Sequence, residues 1–458
     1  MLHNDDNVST PGLAWRDMYP KWDLIHDLLG GTLSMRSAAK KWLPKEPREE
    51  EIQYEIRLGR SVLYDAYKAT KRKLSSKPFS RSIIVTDENN LPGQLKKIIA
   101  DVNKTKQNLT QFGKELFGSA IDYGLTHILI DYPSLSSNIL TKEDENKLDA
   151  RPLFIHIAPP RLIGWKTVDY GGSDIRLEEI RIKESKVQSE GKYGEKEVNY
   201  VRVITTNGWE LWEERDKAYV LIDSGDHTFG EVPLVTVYLN RTGYLTADPC
   251  MESLAWLNLA HWQSQSDQRN ALRFSRIGIL FGSGFSEDEA RQVIISPNRV
   301  TTCQNPEAKL GYVEHTGKAI ESGRQDLLDL EDRMERLGLQ PLVEKSGDAT
   351  ATAKSIDEAK SDSDIQEWIR SIESGLRFAF EYAAKWIRTE LPKSFNVDIF
   401  NDFSLSIKST TDLEILTGLR KEKDLSQKTL LREVKRRGLL SDNIDVDEEI
   451  GAIAKENS

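Results

Sequence analysis

The stretch GDATATAKS, from Gly347 to Ser355, is where the sequence comes nearest to a chemical motif, with a glycine, small residues, then a lysine and a hydroxyl. A phosphate-cradling loop needs a second glycine directly before the lysine, fixed spacing from the first, and a buried strand leading in. Here Ala353 precedes Lys354, the span from Gly347 is one residue too long, and no such strand precedes it. The segment therefore reads as a flexible loop entering a helix. The seven histidines, His3, His26, His127, His156, His227, His261 and His315, show neither HxxxH nor HxH spacing, so no metal site is expected. His261 is expected to form a hydrogen bond at a helix interface, and His127 and His156 are expected in strands with satisfied ring nitrogens. Cys250 and Cys303 lack CxxC spacing and read as reduced, small core residues. No GxSxG elbow occurs, and Glu287, Asp288 and Glu289 fit a solvated helix start. The sequence thus offers no catalytic constellation and no cofactor motif, and an enzyme is not expected.

The elements around these residues belong to a folded chain. With 458 residues, 38% hydrophobic and 30% charged, it can bury a substantial core in two to four structural units. A net charge of -10 opposes a role in coating nucleic acid, because non-specific affinity rests on Lys and Arg displacing counterions. The opening MLHNDDNVSTPG lacks the basic start and apolar run of a signal peptide, and no stretch approaches the roughly 20 apolar residues of a membrane span. The expected setting is the cytoplasm, or a particle assembled there.

Residues from about Asp17 to Lys77 read as helices broken at Pro44 and Pro47, the second running from about Glu49 to Lys73. A helix near Leu109–Tyr123 leads into a buried strand, LTHILIDY. From Arg151 to Asn240 short β-branched and aromatic runs alternate with turn residues such as GWK, NGW and DSGDH, the mark of an antiparallel β-rich unit. A long helix follows from about Pro249 to Arg276, with Asp248 as cap, then a charge-balanced module that reads strand, short helix, strand, strand. A second, acidic helix spans about Ile320 to Leu337. After a small-residue break, a third long helix runs from about Thr352 to Leu391, with Gly375 as a candidate kink, then a strand from Phe395, two short helices, and an acidic tail expected to fray.

This order resembles the portal proteins of tailed bacteriophages over almost the entire chain. The segments carrying the resemblance are DLLGGTLSMRSAAKKWLPKEP, IRLGRSVLYDAYKAT, SLAWLNLAHWQSQSDQRNALRF and GLQPLVEKSGDATATAKS. The implied fold is α+β, with a helical stem, a β-containing clip insert, an α/β wing and a small helical crown. By similarity, 1–246 would form the wing, 247–276 and 320–338 the stem helices, and 277–319 the clip. Residues 339–350 would be the tunnel loop, 351–410 the long kinked helix and a wing strand, and 411–458 the crown.

The resemblance implies a homo-oligomeric ring, usually of twelve copies, at one capsid vertex. Double-stranded DNA would pass through it during packaging and ejection. The implied partners are the terminase large subunit, adaptor and tail proteins, and the major capsid and scaffolding proteins, with no membrane and no cofactor. A channel for a polyanion should avoid dense rings of cations, which suits the acidic second helix. Glu344, Lys345, Ser346, Gly347, Asp348 and Lys354 are the tunnel-loop candidates, with Lys345 as a transient phosphate contact. Lys435, Arg436 and Arg437 are candidate DNA contacts at the crown, although a basic run at a helix end is also favourable with the helix dipole. Two alternatives are another virion structural protein, such as an adaptor or baseplate component, and a packaging ATPase or nuclease. The last would require the phosphate loop or paired metal-binding acids that the sequence lacks.

Overall fold

The computed structural model describes residues 7–132, 149–171, 174–277, 279–293, 302, 304–313, 318–339, 364–401, 409–436, 440, 444 and 446–456. In chain order the helices are α1 (Leu13–Leu29), α2 (Gly31–Ala38), α3 (Glu51–Arg60), α4 (Ala66–Ser76), α5 (Gly93–Ala100) and α6 (Leu109–Tyr123). Strands follow: β1 (Ile84–Thr86) precedes α5, and β2 (Leu125–Asp131), β3 (Leu153–Ile157), β4 (Leu162–Asp169), β5 (Ile175–Glu190) and β6 (Gly194–Thr205) come after α6. They continue with β7 (Gly208–Arg215), β8 (Ala218–Asp226), β9 (Leu234–Tyr238), β10 (Arg241–Gly243) and β11 (Thr246–Ala247). The remainder comprises α7 (Glu252–Ile277), β12 (Ile279–Ser283), α8 (Glu287–Gln292), β13 (Lys309–Val313), α9 (Lys318–Leu339), α10 (Asp364–Trp386) and β14 (Asn396–Asp398). Three short helices end the chain, α11 (Ser409–Lys421), α12 (Gln427–Arg436) and α13 (Val446–Glu456). The fold class is α+β, as the sequence implies.

Two compact units are formed. One comprises Met1–Asp23, Thr70–Met251 and Gln340–Ser458, and the other comprises Leu24–Ala69 and Glu252–Leu339. Residues 24–69 gather with α7 and α9 in the second of these units.

The first unit is built on β2, which lies between β3 and β9 in an antiparallel three-stranded sheet. Strand β2 is buried along nearly its full length, its apolar residues covered on both faces and its buried Thr126 and His127 hydrogen-bonded. Helices α6 and α10 pack on it, α10 through a stripe that includes Ile365, Ile369, Ile372, Leu376 and Phe380. Phe380 then sits edge-on to Phe154 at 5.2 Å and tilted against Phe395 at 5.2 Å. Strands β4 to β8 form a separate antiparallel meander in sequential order. The side-chain period of two splits β6 cleanly, with Ile204 joining one apolar cluster and Val201 and Val203 another.

Several expectations are revised. The helix expected over Glu49–Lys73 is two helices, because Ser61 is extended (φ -66°, ψ 134°) and the amides beyond it take distant side-chain acceptors. Leu63 N–H donates to Thr32 Oγ1 at 3.1 Å and Tyr67 N–H to Asn258 Oδ1 at 3.0 Å. GWK, expected as a turn, lies inside β4, and DSGD lies inside β8, since the partner strands β5 and β7 supply hydrogen bonds that override turn chemistry. Helix α7 begins at Glu252, beyond Pro249, and Asp248 is engaged by Lys21 Nζ at 2.8 Å. At Gly375 of α10 a Cβ would meet Val237 Cγ2 at 2.2 Å, so this glycine admits β9. The acidic tail, expected to fray, carries α13.

Gly124 closes α6 in the left-handed region (φ 79°), and its carbonyl accepts from Leu239 N–H at 2.8 Å and Asn240 N–H at 3.0 Å. A Cβ there would lie 2.0 Å from the Asp248 carbonyl oxygen. G124A is expected to cost about 2–4 kcal/mol from backbone strain plus overpacking. G59A, in a helix with open space around it, should raise stability by up to about 1 kcal/mol. Urea midpoints of the two variants check both.

His127 is fully buried in β2, with Nδ1 hydrogen-bonded to Thr236 Oγ1 at 2.9 Å, and burial, aided by nearby His156, pushes its pKa down from 6.5 to about 3. The unfolded chain takes up this proton near pH 6.5 while the folded chain resists it, so the site adds no penalty above that pH. Stability falls as pH drops from about 6.5 toward 3, by at most about 1.4 kcal/mol per unit. Urea titrations between pH 7.5 and 5 should show this slope for the wild type and a shallower one for H127Q.

Candidate functional site: the helix pair and its strand-paired insert

Helices α7 and α9 flank the insert and pack against each other within the second unit. They run antiparallel, since His261 meets Glu331 while Gln268, further along α7, meets Ile320, earlier on α9. Gly323 lets the helices close up, because a Cβ there would lie 2.2 Å from Gln268 Oε1. Gln268 Nε2 then donates to the Ile320 carbonyl at 2.7 Å. Between the helices, β12 and β13 pair antiparallel from Ile279↔Val313 to Ser283↔Lys309. The short helix α8 begins at a reciprocal cap in which Ser286 Oγ accepts from Glu289 N–H and the Glu289 carboxylate accepts from Ser286 N–H at 3.0 Å.

Three buried polar side chains on α7 tie the unit together. Asn258 accepts from Tyr67 N–H and donates Nδ2–H to the Tyr64 carbonyl at 2.8 Å. His261 is fully buried, lies 5.1 Å from the Tyr64 ring centroid, and places Nε2 3.1 Å from Glu331 Oε1. Facing a carboxylate, Nε2 carries the proton, and Nδ1 has no described partner. Ser266 Oγ lies 2.8 Å from Ser61 Oγ and 3.5 Å from Arg57 Nη1.

Charged groups in the rest of this unit are buried only with partners. The Arg57 guanidinium, 5% exposed, grips Glu49 at 2.8 Å and the Pro44 carbonyl at 2.8 Å, and its hydrogen bonds hold the Glu49 carboxyl below the usual carboxylate range. Burial tends to raise the Asp27 pKa, yet hydrogen bonds from Trp42 Nε1 (2.6 Å), Lys41 Nζ (3.1 Å) and Ser34 Oγ (2.9 Å) outweigh it and lower it. Helix α9 is less one-sided than its composition: Glu321 pairs with Arg324, Asp332 with Arg336, and Glu331 faces His261.

The tunnel-loop candidates Glu344, Lys345, Ser346, Gly347, Asp348 and Lys354 lie outside the described residues, as do Arg437 and Cys303. Lys435 is half-buried and donates to the Ile444 carbonyl at 2.7 Å, a contact that stitches α12 to the chain before α13; Arg436 ends α12. His127 and His156 lie in strands, and His156 bonds through both nitrogens, to Thr126 Oγ1 at 2.9 Å and Glu115 Oε1 at 2.7 Å. Cys250 is unpaired, and burial pushes its thiol well above the usual range. Among the described residues, no cluster of three or more His, Cys, Asp and Glu could hold a metal, and no helix is long and apolar enough to cross a membrane. Sequence reasoning missed Asn258 and Ser266, whose partners lie about 200 positions away. It also missed Arg60, Arg269 and Arg273, whose only linear signal is the i, i+4 spacing of the last two.

A family model described as a domain of unknown function (DUF4055) matches residues 250–387, which take in α7, the insert, α9 and α10. No curated protein matches the chain. Among solved structures it is similar to a chain in the virion of a native gene transfer agent particle, at 7% identity, covering 79% of this chain and 87% of that one, with a TM-score of 0.41. A chain in the neck of an empty such particle, with C6 symmetry, is similar at 7% identity, covering 76% and 83%, with a TM-score of 0.40. Another, in the neck of the native particle with C12 symmetry, is similar at 9% identity, covering 89% and 98%, with a TM-score of 0.40.

The His261–Glu331 contact should couple α7 to α9. H261A and E331A are each expected to cost about 1–3 kcal/mol, and the double variant less than their sum, with a coupling of at least about 0.5 kcal/mol. A double-mutant cycle by urea denaturation measures this, and strict additivity would show that the contact carries no coupling.

Proposed function

We propose that this chain is a phage portal protein, a subunit of a ring-shaped conduit at one capsid vertex through which double-stranded DNA is packaged and ejected. The observation that carries the reading is the antiparallel pair α7 and α9, joined through the paired strands β12 and β13. In the resemblance noted above, such a pair is the stem and its insert is the clip, which docks terminase and later the adaptor and tail proteins. Glycine at 323 and a row of buried side chains on α7 that hydrogen-bond across the unit suit a rod repeated about an axis.

In this reading the 339–350 segment lines the narrowest part of the channel, with Lys345 touching passing phosphates, and the protein performs no catalysis. Major capsid and scaffolding proteins surround the ring, and its place is the virion. An adaptor or baseplate component is less suited, because such proteins are usually shorter and lack two long helices flanking an inserted module. A packaging ATPase or nuclease is less suited again, since no segment of the sequence has the GxxxxGK[ST] pattern of a phosphate loop.

Negative-stain electron microscopy of the purified full-length protein tests the proposal. Rings with a central hole, twelvefold as in the family it resembles, are expected, together with no nucleotide hydrolysis. A monodisperse monomer at high concentration would overturn it.

A further inference from the structure

The second unit contains a half-enclosed cavity of about 50 Å³ at the contact of α3 with α7. Four arginines line it, Arg57 and Arg60 on α3 and Arg269 and Arg273 on α7. The other lining residues, Ser61, Ser266 and Asn270, are neutral and polar, so the wall contains no carboxylate and no large apolar side chain. Concentrating four cations in this way is unexpected in a chain of net charge -10.

Arg57 is already satisfied by Glu49, and its Nη1 lies 3.6 Å from Asp267 Oδ1 on the rim. Arg60, Arg269 and Arg273 differ: all three are exposed, and none makes a hydrogen bond or ion pair with any described residue. Arg269 and Arg273 stand four apart on one helix face, an arrangement that repels and weakens the helix by a few tenths of a kcal/mol unless an anion sits between them. Each guanidinium presents a rigid fork of N–H donors matched to phosphate oxygens. The floor is also polar, with the Ser61 and Ser266 hydroxyls 2.8 Å apart. One water needs roughly 10–15 Å³ by this measure of volume, so the cavity has room for a few waters or for one tetrahedral oxyanion in their place.

We infer that this pocket binds a single tetrahedral oxyanion of the phosphate class, free or as one phosphodiester of a nucleic acid, held by Arg60, Arg269 and Arg273 against the Ser61–Ser266 floor. Arginines supplied by two helices can reach oxygens that point in several directions, which suits a tetrahedral oxyanion better than the two coplanar oxygens of a carboxylate. The inference rests on α3 and α7 alone and is independent of whether the chain forms rings.

Isothermal titration of the full-length protein with inorganic phosphate, in low-salt chloride buffer, tests it. One saturable site per chain is expected. R269A/R273A should weaken it by roughly tenfold or more, the loss expected for charge-assisted hydrogen bonds. R324A/R336A removes the same charge from α9 and should leave the affinity unchanged. If the alanine pair perturbs folding by circular dichroism, R269K/R273K keeps the charge but loses the forks, and it should bind with intermediate affinity. Competition with a short duplex DNA distinguishes the sources: displacement of phosphate from the wild type identifies the phosphodiester, and no displacement identifies free phosphate. Absence of saturable binding, or equal weakening in R324A/R336A and R269A/R273A, would overturn the inference.

Discussion

Burial of polar groups along one helix is the constraint on which the second unit depends. Asn258, His261 and Ser266 of α7 are removed from water, and each must find partners or cost several kcal/mol. Those partners, Tyr64, Tyr67, Glu331, Ser61 and Arg57, come from segments far apart in the chain. Satisfying them orders the 61–65 break, brings α9 alongside α7 and sets the spacing between them. The geometry of the insert follows, because β12 and β13 emerge from the two helix ends held in place this way.

The first unit obeys a different rule. Its order derives from a strand, β2, that is buried along nearly its whole length and must be sealed on both faces. Helices α6 and α10 cover one face, the meander covers the other through Leu129 with Leu162, Ile180 and Ile204, and close approach is obtained by leaving out side chains. Gly375 admits Val237, and Gly124 admits the Asp248 carbonyl while accepting two amides from the turn after β9. The one histidine at the centre of this sheet, His127, is tolerated as a neutral hydrogen-bonding group, which is why acid should weaken this unit.

Charge is arranged locally, against the overall acidity. On α9 the acids are partly neutralised by arginines of the same helix, while α7 carries unpaired arginines in its second half that meet Arg60 of α3. An acidic helix in sequence is therefore a mixed surface in space, and a mixed helix in sequence contributes to a concentrated positive pocket. Both facts bear on how a polyanion would meet this chain, since it is the unpaired charges that attract or repel it.

The sequence by itself determined what depends on neighbours within a few residues. The 3.6-residue period located α6, α7 and α9 to within a few positions, alternation found most strands of the meander, and failed motif spacing set aside a phosphate loop. Tertiary structure alone decided what depends on distant partners. The expected helix over 49–73 broke because Thr32 and Asn258 claimed its amides, GWK became strand because β5 offered a ladder, and the packing of Gly375 on Val237 was set by the sheet beneath it. The arginine pocket was hidden for the same reason: Arg60 and Arg269 are some two hundred positions apart, and only the fold, by pairing Ser61 with Ser266, brings their charges together. Local propensities are worth tenths of a kcal/mol per residue, whereas an unmet buried hydrogen bond costs one to several, so long-range partners prevail where the two conflict.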